Sequence, residues 1–281
     1  MEVVRTKQEL RRAGAPVERV GLVPTMGFFH EGHLSLMRLC REKCDFLVVS
    51  LFVNPTQFGP GEDLDRYPKD FERDKALAEA EGADLLFAPA KEEMYARDSS
   101  TVVLEQRVSR GLCGLSRPGH FQGVTTVVAK LFNLVQPDVA FFGRKDLQQL
   151  AVIRRMVRDL DFNVTVEAGP IVREPDGLAL SSRNVYLDQE QRRRAPALYG
   201  ALCEGAEQLA AGLHPAGPGS LLEKLRRRIE QETGGRVEYL SAVDEQIEEV
   251  TVSAQCRYLA AALHLGSTRL IDNVSLVEEQ P

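Results

Sequence analysis

The sequence has no excess of basic residues and no pattern of paired cysteines. Its 281 residues carry a formal net charge of -6. This charge argues against a protein whose main partner is nucleic acid, because a phosphate backbone is met by a basic surface. The five cysteines are odd in number and form no CxxC pair, and Cys40 and Cys44 have no second pair to complete a zinc site. We therefore expect free thiols and no nucleic-acid partner.

The sequence also lacks a long apolar run and the two commonest nucleotide-binding motifs. No stretch approaches the roughly 18 apolar residues of a membrane helix, and the N-terminus has no apolar signal core. We expect a cytoplasmic protein without a membrane partner. The absence of GxxxxGK[ST] excludes the ordinary P-loop, and the absence of GxGxxG after a strand argues against a dinucleotide-dependent dehydrogenase.

Short β-branched runs alternate with segments of helical period in the first part of the chain. The predicted strands are Val20–Pro24, Phe46–Val53, Asp84–Phe87 and Val139–Phe142, and the predicted helices are Leu34–Lys43, Pro68–Glu81, Val124–Leu134 and Lys145–Leu160. This alternation implies right-handed βαβ units and a doubly wound parallel sheet of the α/β class. Ligands of such sheets bind beyond the carboxyl ends of the strands.

The pattern changes after about Arg173. Two helical segments flank the proline- and glycine-rich joint LHPAGPGS (213–220), and three strand-like runs follow. The predicted elements are the helices Arg193–Ala211 and Leu221–Thr233 and the strands Arg236–Val243, Arg257–Leu265 and Arg269–Asn273. We predict a sheet domain over residues 1–172 and a smaller, lid-like α+β domain over residues 173–281.

The first candidate loop is PTMGFFHEGH, Pro24 to His33, which leads directly into a helix. His30 and His33 lie three residues apart where the helix begins, so both rings can point to the same side. A helix N-terminus favours anions, and two imidazoles there can donate hydrogen bonds to a polyphosphate. The alternatives are a metal-binding pair or a plain N-cap with incidental histidines.

The second candidate loop is NPTQF, Asn54 to Phe58, which follows the second predicted strand. Gln57 offers both a donor and an acceptor on the ligand side of the sheet. Asn54-Pro55 is also typical of a turn, and taken alone the turn is the better interpretation.

The third candidate loop is GRKD, Gly143 to Asp146, which follows the strand that ends at Phe142. Lys145 is placed to reach a phosphate, and Gln149 lies four residues further on, so one helical turn projects both side chains the same way. The alternative is an ordinary helix start with a solvated lysine.

The fourth candidate segment is DGLALSSRN, 176–184. Ser181 and Ser182 offer hydroxyls and Arg183 a bidentate cation, which together are typical of an anion clamp. A polar linker with an N-capping serine is the alternative. Because the sheet topology would direct all four segments to one cleft, we interpret them together as a triphosphate site.

With these residues in place, the chain closely resembles the pantothenate synthetase (pantoate–β-alanine ligase) family, whose HxGH motif is shared with class I aminoacyl-tRNA synthetases and other nucleotidyltransferases. The matching blocks are VPTMGFFHEGHLSLM, VSLFVNPTQFGPGEDLDRYP, RPGHFQGVTTVVAKLFNLVQPDVAFFGRKDLQQL and VREPDGLALSSRNVYL. They cover roughly residues 20–190 in the family's order. The C-terminal third matches more loosely, through EYLSAVD near Tyr239 and RLIDN near Arg269.

The resemblance implies a Rossmann-like first domain and a ligase that joins (R)-pantoate to β-alanine with ATP and Mg²⁺, through a pantoyl-adenylate, as a homodimer. It implies that Gln57 and Gln149 hold pantoate, that Gln57 also lies near β-alanine, and that His33 acts as an acid. The implied ATP-binding residues are Met26, Gly27, Phe28, Phe29, His30, Glu31, Gly32, His33, Gly143, Arg144, Lys145, Asp146, Val172, Leu180, Ser181, Ser182 and Arg183. Among them we predict six catalytic residues, namely His30, His33, Lys145, Ser181, Ser182 and Arg183. The metal ligands are unknown from sequence.

The sequence departs from the family pattern at a few positions. Arg144 stands where the family usually has Glu, which reverses a charge beside Lys145, whereas Phe28, Phe29 and Leu180 are apolar replacements. Three rival functions are a transferase that makes a dinucleotide or coenzyme precursor, a tRNA synthetase and a nucleotide-binding regulatory module. The NPTQF and LSSRN blocks favour the synthetase over the transferase. The length leaves no room for an anticodon-reading domain, and the full set of His, Lys, Ser and Arg disfavours a module without catalysis.

Overall fold

The computed structural model describes residues 1–14, 19–214 and 217–277. These residues divide into two compact units. The first unit comprises Met1–Ser109, Arg117–Arg144 and Val152–Pro170, and the second comprises Arg110–Ser116, Lys145–Ala151 and Ile171–Pro281. Within the described ranges, no helix is both long and apolar enough to cross a lipid bilayer. Residues 215 and 216 of the predicted joint lie outside those ranges.

Parallel strands form the sheet of the first unit. In chain order, the strands are β1 (Glu2–Val4), β2 (Val20–Thr25), β3 (Phe46–Leu51), β4 (Leu85–Phe87), β5 (Val139–Gly143) and β6 (Thr165–Gly169). Their spatial order across the sheet is β1-β4-β3-β2-β5-β6. The chain therefore reverses its direction of winding between β2 and β5, and the crevice at such a switch point is where α/β sheets bind ligands.

The inner strands are apolar because helices cover both faces of a doubly wound sheet. Leu22 and Val23 of β2 and Leu47 and Val49 of β3 have no exposed surface, and β2 and β3 pair in register from Val20↔Phe46 to Thr25↔Leu51. The helices that precede β6 in the chain are α1 (Lys7–Arg12), α2 (Glu31–Lys43), α3 (Phe71–Ala80), α4 (Lys91–Met94), α5 (Leu112–Ser116), α6 (His120–Val135) and α7 (Leu147–Asp159). Of these, α5 belongs to the second unit, and α7 is divided between the two units.

The second unit contains a small antiparallel sheet covered by helices. Its remaining elements are the helices α8 (Gln189–Arg194), α9 (Ala197–Ala210) and α10 (Gly219–Thr233) and the strands β7 (Arg236–Val243), β8 (Tyr258–Leu265) and β9 (Thr268–Ser275). The strands pair in the order β7-β8-β9. Leu202, Ile229 and Leu259, from α9, α10 and β8, are fully buried in a common core.

A cluster of charged side chains lies on the sheet of the second unit. Glu238 accepts hydrogen bonds from Arg269 Nη2 at 2.8 Å and Ser116 Oγ at 2.5 Å, and it lies 2.7 Å from His264 Nε2. Burial would raise the pKa of Glu238, but these partners outweigh it and hold the pKa at about 2.

All five cysteines are free thiols, as expected. Cys40, Cys44, Cys113 and Cys256 are buried, and Cys203 is half-buried. Burial raises the pKa of Cys40, and a side chain on Gly21 would collide with its sulfur at 2.1 Å. The thiols of Cys40 and Cys44 therefore fill the space between α2 and β2.

The predicted fold class is confirmed, with several boundary differences. The strand predicted to Val53 ends at Leu51, and the helix predicted from Pro68 begins at Phe71 because Asp70 caps it. The helix predicted over 193–211 is two helices, α8 and α9, which meet around Pro196. The sequence analysis missed the strands β1 and β6 and the short helices α1, α4 and α5. The domain division after Val172 stays a prediction.

Candidate active site

The first candidate loop joins β2 to α2 through an unusual backbone. Gly27 has φ +86° and Phe28 has φ +52°, so two successive residues are left-handed. The side chain of Asp74, on α3, fixes this shape: its Oδ2 accepts from the Phe28 N–H at 2.6 Å and its Oδ1 from the Phe29 N–H at 2.7 Å. A Cβ atom at Gly27 would lie 2.9 Å from Asp74 Oδ2, so this position requires glycine.

Asp74 is a residue that the sequence analysis missed. It is 1% exposed, and burial raises its pKa although the two backbone hydrogen bonds act in the opposite direction. Its position on a helix gave no signal, since the loop that it holds lies 46 residues earlier in the chain.

His30 and His33 lie together at the start of α2, as predicted. His30 is the N-cap, and its Nδ1 accepts from the Gly32 N–H at 3.2 Å, while His33 Nδ1 accepts from the His30 N–H at 3.3 Å. The ring centroids are 4.2 Å apart. Because each Nδ1 is an acceptor, each neutral ring carries its proton on Nε2, which makes two N–H donors at a helix N-terminus. His30 is therefore an N-cap, as one alternative expected, and the capping contact sets its tautomer.

The other residues of this loop have distinct surroundings. Phe29 is buried in the core of the first unit, whereas Phe28 is half-buried with the Arg73 guanidinium 5.4 Å from its ring centroid. Glu31 is exposed and forms an ion pair with Arg38. These contacts assign Phe29 to packing.

The second candidate loop is both a turn and a buried hydrogen-bonded structure. Asn54 is 1% exposed, and its Oδ1 accepts from Tyr95 OH at 2.9 Å and from Thr56 Oγ1 at 2.9 Å. Its Nδ2 donates to Gln57 Oε1 at 3.1 Å and to the Gly123 carbonyl at 3.1 Å. The sequence analysis treated Asn54 as a turn former and missed this network, which orients the carboxamide of Gln57.

Gln57 connects the first two candidate loops. Its side chain is 9% exposed, and its Nε2 donates to Met26 Sδ at 3.1 Å. A sulfur is a weak acceptor, so a ligand with a carboxylate or hydroxyl oxygen would be a stronger partner for this amide. The structure therefore brings Met26 and Gln57 together, as the topology predicted.

A charged network holds the backbone of Gln57. Arg117 pairs with Glu62 at 2.5 Å and donates to His120 Nε2 at 3.1 Å, so His120 carries its proton on Nδ1 and donates it to the Gln57 carbonyl at 2.8 Å. Burial acts to raise the pKa of Glu62, but the Arg117 guanidinium lowers it below the usual value. The sequence analysis missed these residues, although RPGH lies within a block that resembles the family.

The third candidate loop forms a 3-10 turn, Arg144–Asp146, and α7 begins only at Leu147. Lys145 therefore lies in the 3-10 turn that runs directly into α7 and not in the α-helix itself, and its predicted alignment with Gln149 stays a prediction. Both side chains belong to the second unit and are half-buried, as are Gly143, Arg144 and Asp146. The Lys145 carbonyl accepts from Asn273 Nδ2 at 3.1 Å.

The fourth candidate segment is a compact turn followed by a 3-10 helix. The Leu180 N–H donates to the Val172 carbonyl at 3.0 Å, and both residues are half-buried. Ser181 caps the 3-10 helix 182–186 and accepts from the Arg183 N–H at 3.3 Å. Ser182 is buried and Arg183 is half-buried. Ser181 is therefore an N-cap, as the alternative interpretation expected.

A pocket in the second unit contains parts of the third and fourth segments. It is lined by Lys145, Ser181, Asn184, Tyr199 and Asp272 together with apolar neighbours. The Oδ1 atom of Asn184 is buried there without a hydrogen-bond partner in the described structure. Lys145 and Ser181 thus line one pocket, and their binding of one phosphate chain stays a prediction.

The described residues contain no group of three or more His, Cys, Asp or Glu side chains that could hold a metal ion. The metal-pair alternative for His30 and His33 thus has no third ligand of these types in that part of the chain. Mg²⁺ commonly needs only one or two carboxylates when it is bound with a nucleotide, because the phosphates and water supply the other ligands.

Sequence comparison identifies the family. The model of the family described as pantoate-beta-alanine ligase matches residues 2–275. The pantothenate synthetase of Desulfatibacillum aliphaticivorans is 50% identical over 278 residues, which cover 97% of this chain and 98% of the relative. The pantothenate synthetase of Caldicellulosiruptor bescii is 48% identical over 279 residues, which cover 98% of each chain.

Solved structures agree with the sequence comparison. The crystal structure of pantothenate synthetase from Thermus thermophilus superposes with a TM-score of 0.89 at 48% identity, covering 98% of this chain and 99% of that chain. The pantoate-beta-alanine ligase of Francisella tularensis, complexed with beta-gamma ATP and beta-alanine, gives a TM-score of 0.83 at 30% identity, with 98% of each chain covered. This chain therefore belongs to the pantothenate synthetase (pantoate–β-alanine ligase) family and is a ligase.

Proposed function

We propose that this ligase condenses (R)-pantoate with β-alanine at the expense of ATP, through a pantoyl-adenylate, and releases AMP and pyrophosphate. The observation that carries the proposal is the first loop, where His30 and His33 lie together at the N-terminus of α2 with their Nδ1 atoms bonded to backbone N–H groups, and where Met26 accepts from Gln57. The nucleotide and β-alanine bound to the Francisella tularensis relative support the same substrates here.

The chemistry requires activation of a carboxylate. Hydroxide is a poor leaving group, so pantoate first attacks the α-phosphorus of ATP through a carboxylate oxygen. One O–P bond forms, the bond from the α-phosphorus to the bridging oxygen breaks, and pyrophosphate leaves. The neutral amine of β-alanine then attacks the acyl carbon, AMP departs with the former carboxylate oxygen, and the amine loses a proton.

His30 and His33 would stabilise the charge that develops during the first step. Two fixed N–H donors and a helix N-terminus favour negative charge on the α-phosphate and the leaving pyrophosphate, and they need no rearrangement during the reaction. We propose that His33 also supplies the acid function. The left-handed turn at Gly27 and Phe28, held by Asp74, lets backbone groups from Met26 to Gly32 approach the nucleotide.

Gln57 and Gln149 would hold pantoate. Asn54 orients the Gln57 carboxamide, so its Nε2 can donate to an oxygen of pantoate at little cost in side-chain entropy. We propose that Gln57 also contacts β-alanine, which is the second molecule to meet the acyl carbon.

The second unit would supply cations and hydroxyls for the phosphates. We propose that Lys145, Ser181, Ser182 and Arg183 screen the repulsion between two anions. Gly143, Asp146, Val172 and Leu180 would complete the nucleotide contacts, together with the backbone, and not the side chain, of Arg144. We propose that ATP binds as its Mg²⁺ complex, with phosphate oxygens and water as ligands of the ion, and that the enzyme acts in the cytoplasm as a homodimer.

The order of chemistry can be tested directly by isotope exchange. The enzyme should exchange labelled pyrophosphate into ATP with pantoate present and β-alanine absent, because adenylation is reversible and needs no amine. A ligase that forms an acyl-phosphate would release ADP without this exchange, and a dinucleotide-forming transferase would exchange only with its own substrate. In the complete reaction, oxygen-18 from the pantoate carboxylate should appear in AMP. The absence of both signals in an active preparation would refute the adenylate.

A further inference from the structure

Strand β9 carries two adjacent polar residues, Asp272 and Asn273, that the proposed chemistry does not use. They belong to the RLIDN segment and are only 4% and 5% exposed. Buried polar side chains are costly unless they are satisfied, so their partners indicate what they do. Asn273 contacts one part of the proposed nucleotide site directly, and Asp272 reaches another part through Arg173.

Asp272 holds the fourth segment through Arg173. The carboxylate accepts two parallel hydrogen bonds from Arg173, at 2.7 Å to Oδ2 and 2.9 Å to Oδ1. The same guanidinium donates to the Gly177 carbonyl at 3.1 Å and lies 3.6 Å from the centroid of the Tyr199 ring. Gly177 is in the turn that leads to Ser181, so Asp272 anchors that turn to β9.

The surroundings of this ion pair leave little room for movement. A Cβ atom at Gly177 would lie 2.6 Å from Tyr199 Cδ1, so the turn is packed directly on the ring. The bidentate geometry of an arginine–carboxylate pair fixes orientation as well as distance. The turn, the ring and the strand are therefore packed together as one assembly.

Asn273 holds the third loop. Its Nδ2 donates to the Lys145 carbonyl at 3.1 Å. That carbonyl lies in the 3-10 turn that precedes α7, where the orientation of the backbone decides the direction of the Lys145 side chain. Lys145, Ser181 and Asp272 line the same pocket of the second unit.

We propose that Asp272 and Asn273 are positioning residues, through which β9 holds Lys145 and the Ser181–Arg183 segment in a fixed relation for ATP binding. Asp272 acts on the serines and arginine through Arg173, and Asn273 acts on Lys145 through its carbonyl. The inference rests on the proposed role of those residues toward ATP.

The main test is Asn273→Asp, which keeps the size of the side chain but replaces the donor to the Lys145 carbonyl with an oxygen. We expect kcat/KM for ATP to fall about 10- to 100-fold, because a displacement of about 1 Å can cost that much. The KM for β-alanine at saturating ATP should not change. Thr268→Val is the matched control on the same strand. Its buried Oγ1 has no partner in the described structure, so kinetics should remain those of the wild type.

A double variant distinguishes positioning from a general structural effect. If Asn273 acts through Lys145, Asn273→Asp should cost little further activity in a Lys145→Ala background. Losses that multiply, or equal losses toward ATP and β-alanine, would overturn the inference. The inference would also be overturned if Asn273→Asp had wild-type ATP kinetics while Lys145→Ala was impaired. A Lys145→Ala variant with full activity would instead refute the proposed role of Lys145 itself.

Asp272→Asn tests the contact between Asp272 and Arg173, and it provides the test if Asn273→Asp does not fold. It keeps one oxygen for Arg173 but removes the charge. We expect the loss to be confined to ATP kinetics and to shrink in a Ser181→Ala background. Wild-type values of the KM for ATP and of kcat would contradict the role given to Asp272.

Discussion

Replacing Gly123 by alanine should displace the loop that carries Gln57. Gly123 lies on α6, and a Cβ atom there would be 2.4 Å from the Thr56 carbonyl oxygen and 2.6 Å from the Gln57 nitrogen. Ordinary contact of a Cβ atom begins near 3.4 Å. The loop must therefore move by about 1 Å, and the hydrogen bond from Asn54 to the Gly123 carbonyl must stretch or break.

Two magnitudes follow from that displacement. A shift of about 1 Å in a group that positions substrate can cost about 100-fold in rate. Overpacking of a tight contact costs about 1–3 kcal/mol in the free energy of unfolding, which the better helix propensity of alanine offsets by about 0.5–1 kcal/mol. We expect kcat/KM for pantoate to fall about 100-fold and the protein to lose about 1–2 kcal/mol of stability.

The matched control is Gly200→Ala, since Gly200 also lies within a helix, α9, but has no atom within 4 Å of its added Cβ. That variant should gain up to about 1 kcal/mol in stability and keep wild-type kinetics. AMP release at varied pantoate concentration and unfolding in urea measure both quantities. Wild-type kcat/KM for pantoate in Gly123→Ala would refute the reasoning that this packing sets the position of Gln57.

Three further predictions concern single side chains. His33→Ala should lower kcat about 10²- to 10³-fold with little change in the KM for pantoate. If the variant kept most of its turnover, the role in phosphate chemistry proposed for the first loop would be wrong. Arg144→Glu restores the usual family residue and should leave the KM for ATP unchanged in steady-state assays, whereas a large rise would place Arg144 on the phosphates. Glu238→Gln should destabilise the protein at pH 7 by at most about 3 kcal/mol, since the pKa of Glu238 is lowered from 4.5 to about 2. That contribution is present above about pH 4.5 and is lost as the pH falls towards 2, so urea unfolding of the two proteins should converge in acid. A stability difference between the wild type and Glu238→Gln that is independent of pH would contradict this prediction.

The sequence was sufficient to predict four of the six strands of the parallel sheet and the strand-to-helix turn of the first loop. Long apolar runs marked β2 and β3, and the glycine and histidines of the first loop marked a strand-to-helix turn that the structure contains. The strands β1 and β6 were missed for a physical reason. The strand β1 is three residues long, and β6 is an edge strand with an exposed Thr165 and only one buried residue.

Contacts between distant residues were beyond the reach of pattern analysis. Asp74 looks like an ordinary helical carboxylate until the fold brings it to the Phe28 and Phe29 amides. Arg173 and Asp272 are 99 residues apart in sequence and meet only in the folded second unit. Such pairs depend on topology, whereas residues next to strand ends are placed by local rules.

The native buried thiols can be used to measure local opening of the protein. Cys40 and Cys44 lie in the core of the first unit and Cys256 in that of the second, where burial raises the pKa of the Cys256 thiol to about 11. A thiol-reactive reagent needs an exposed thiolate, so these side chains should be labelled only when their own unit opens. Mass spectrometry of peptides labelled over time would then give separate opening rates for the two units, without an introduced probe. Nucleotide added during labelling would show which unit it protects.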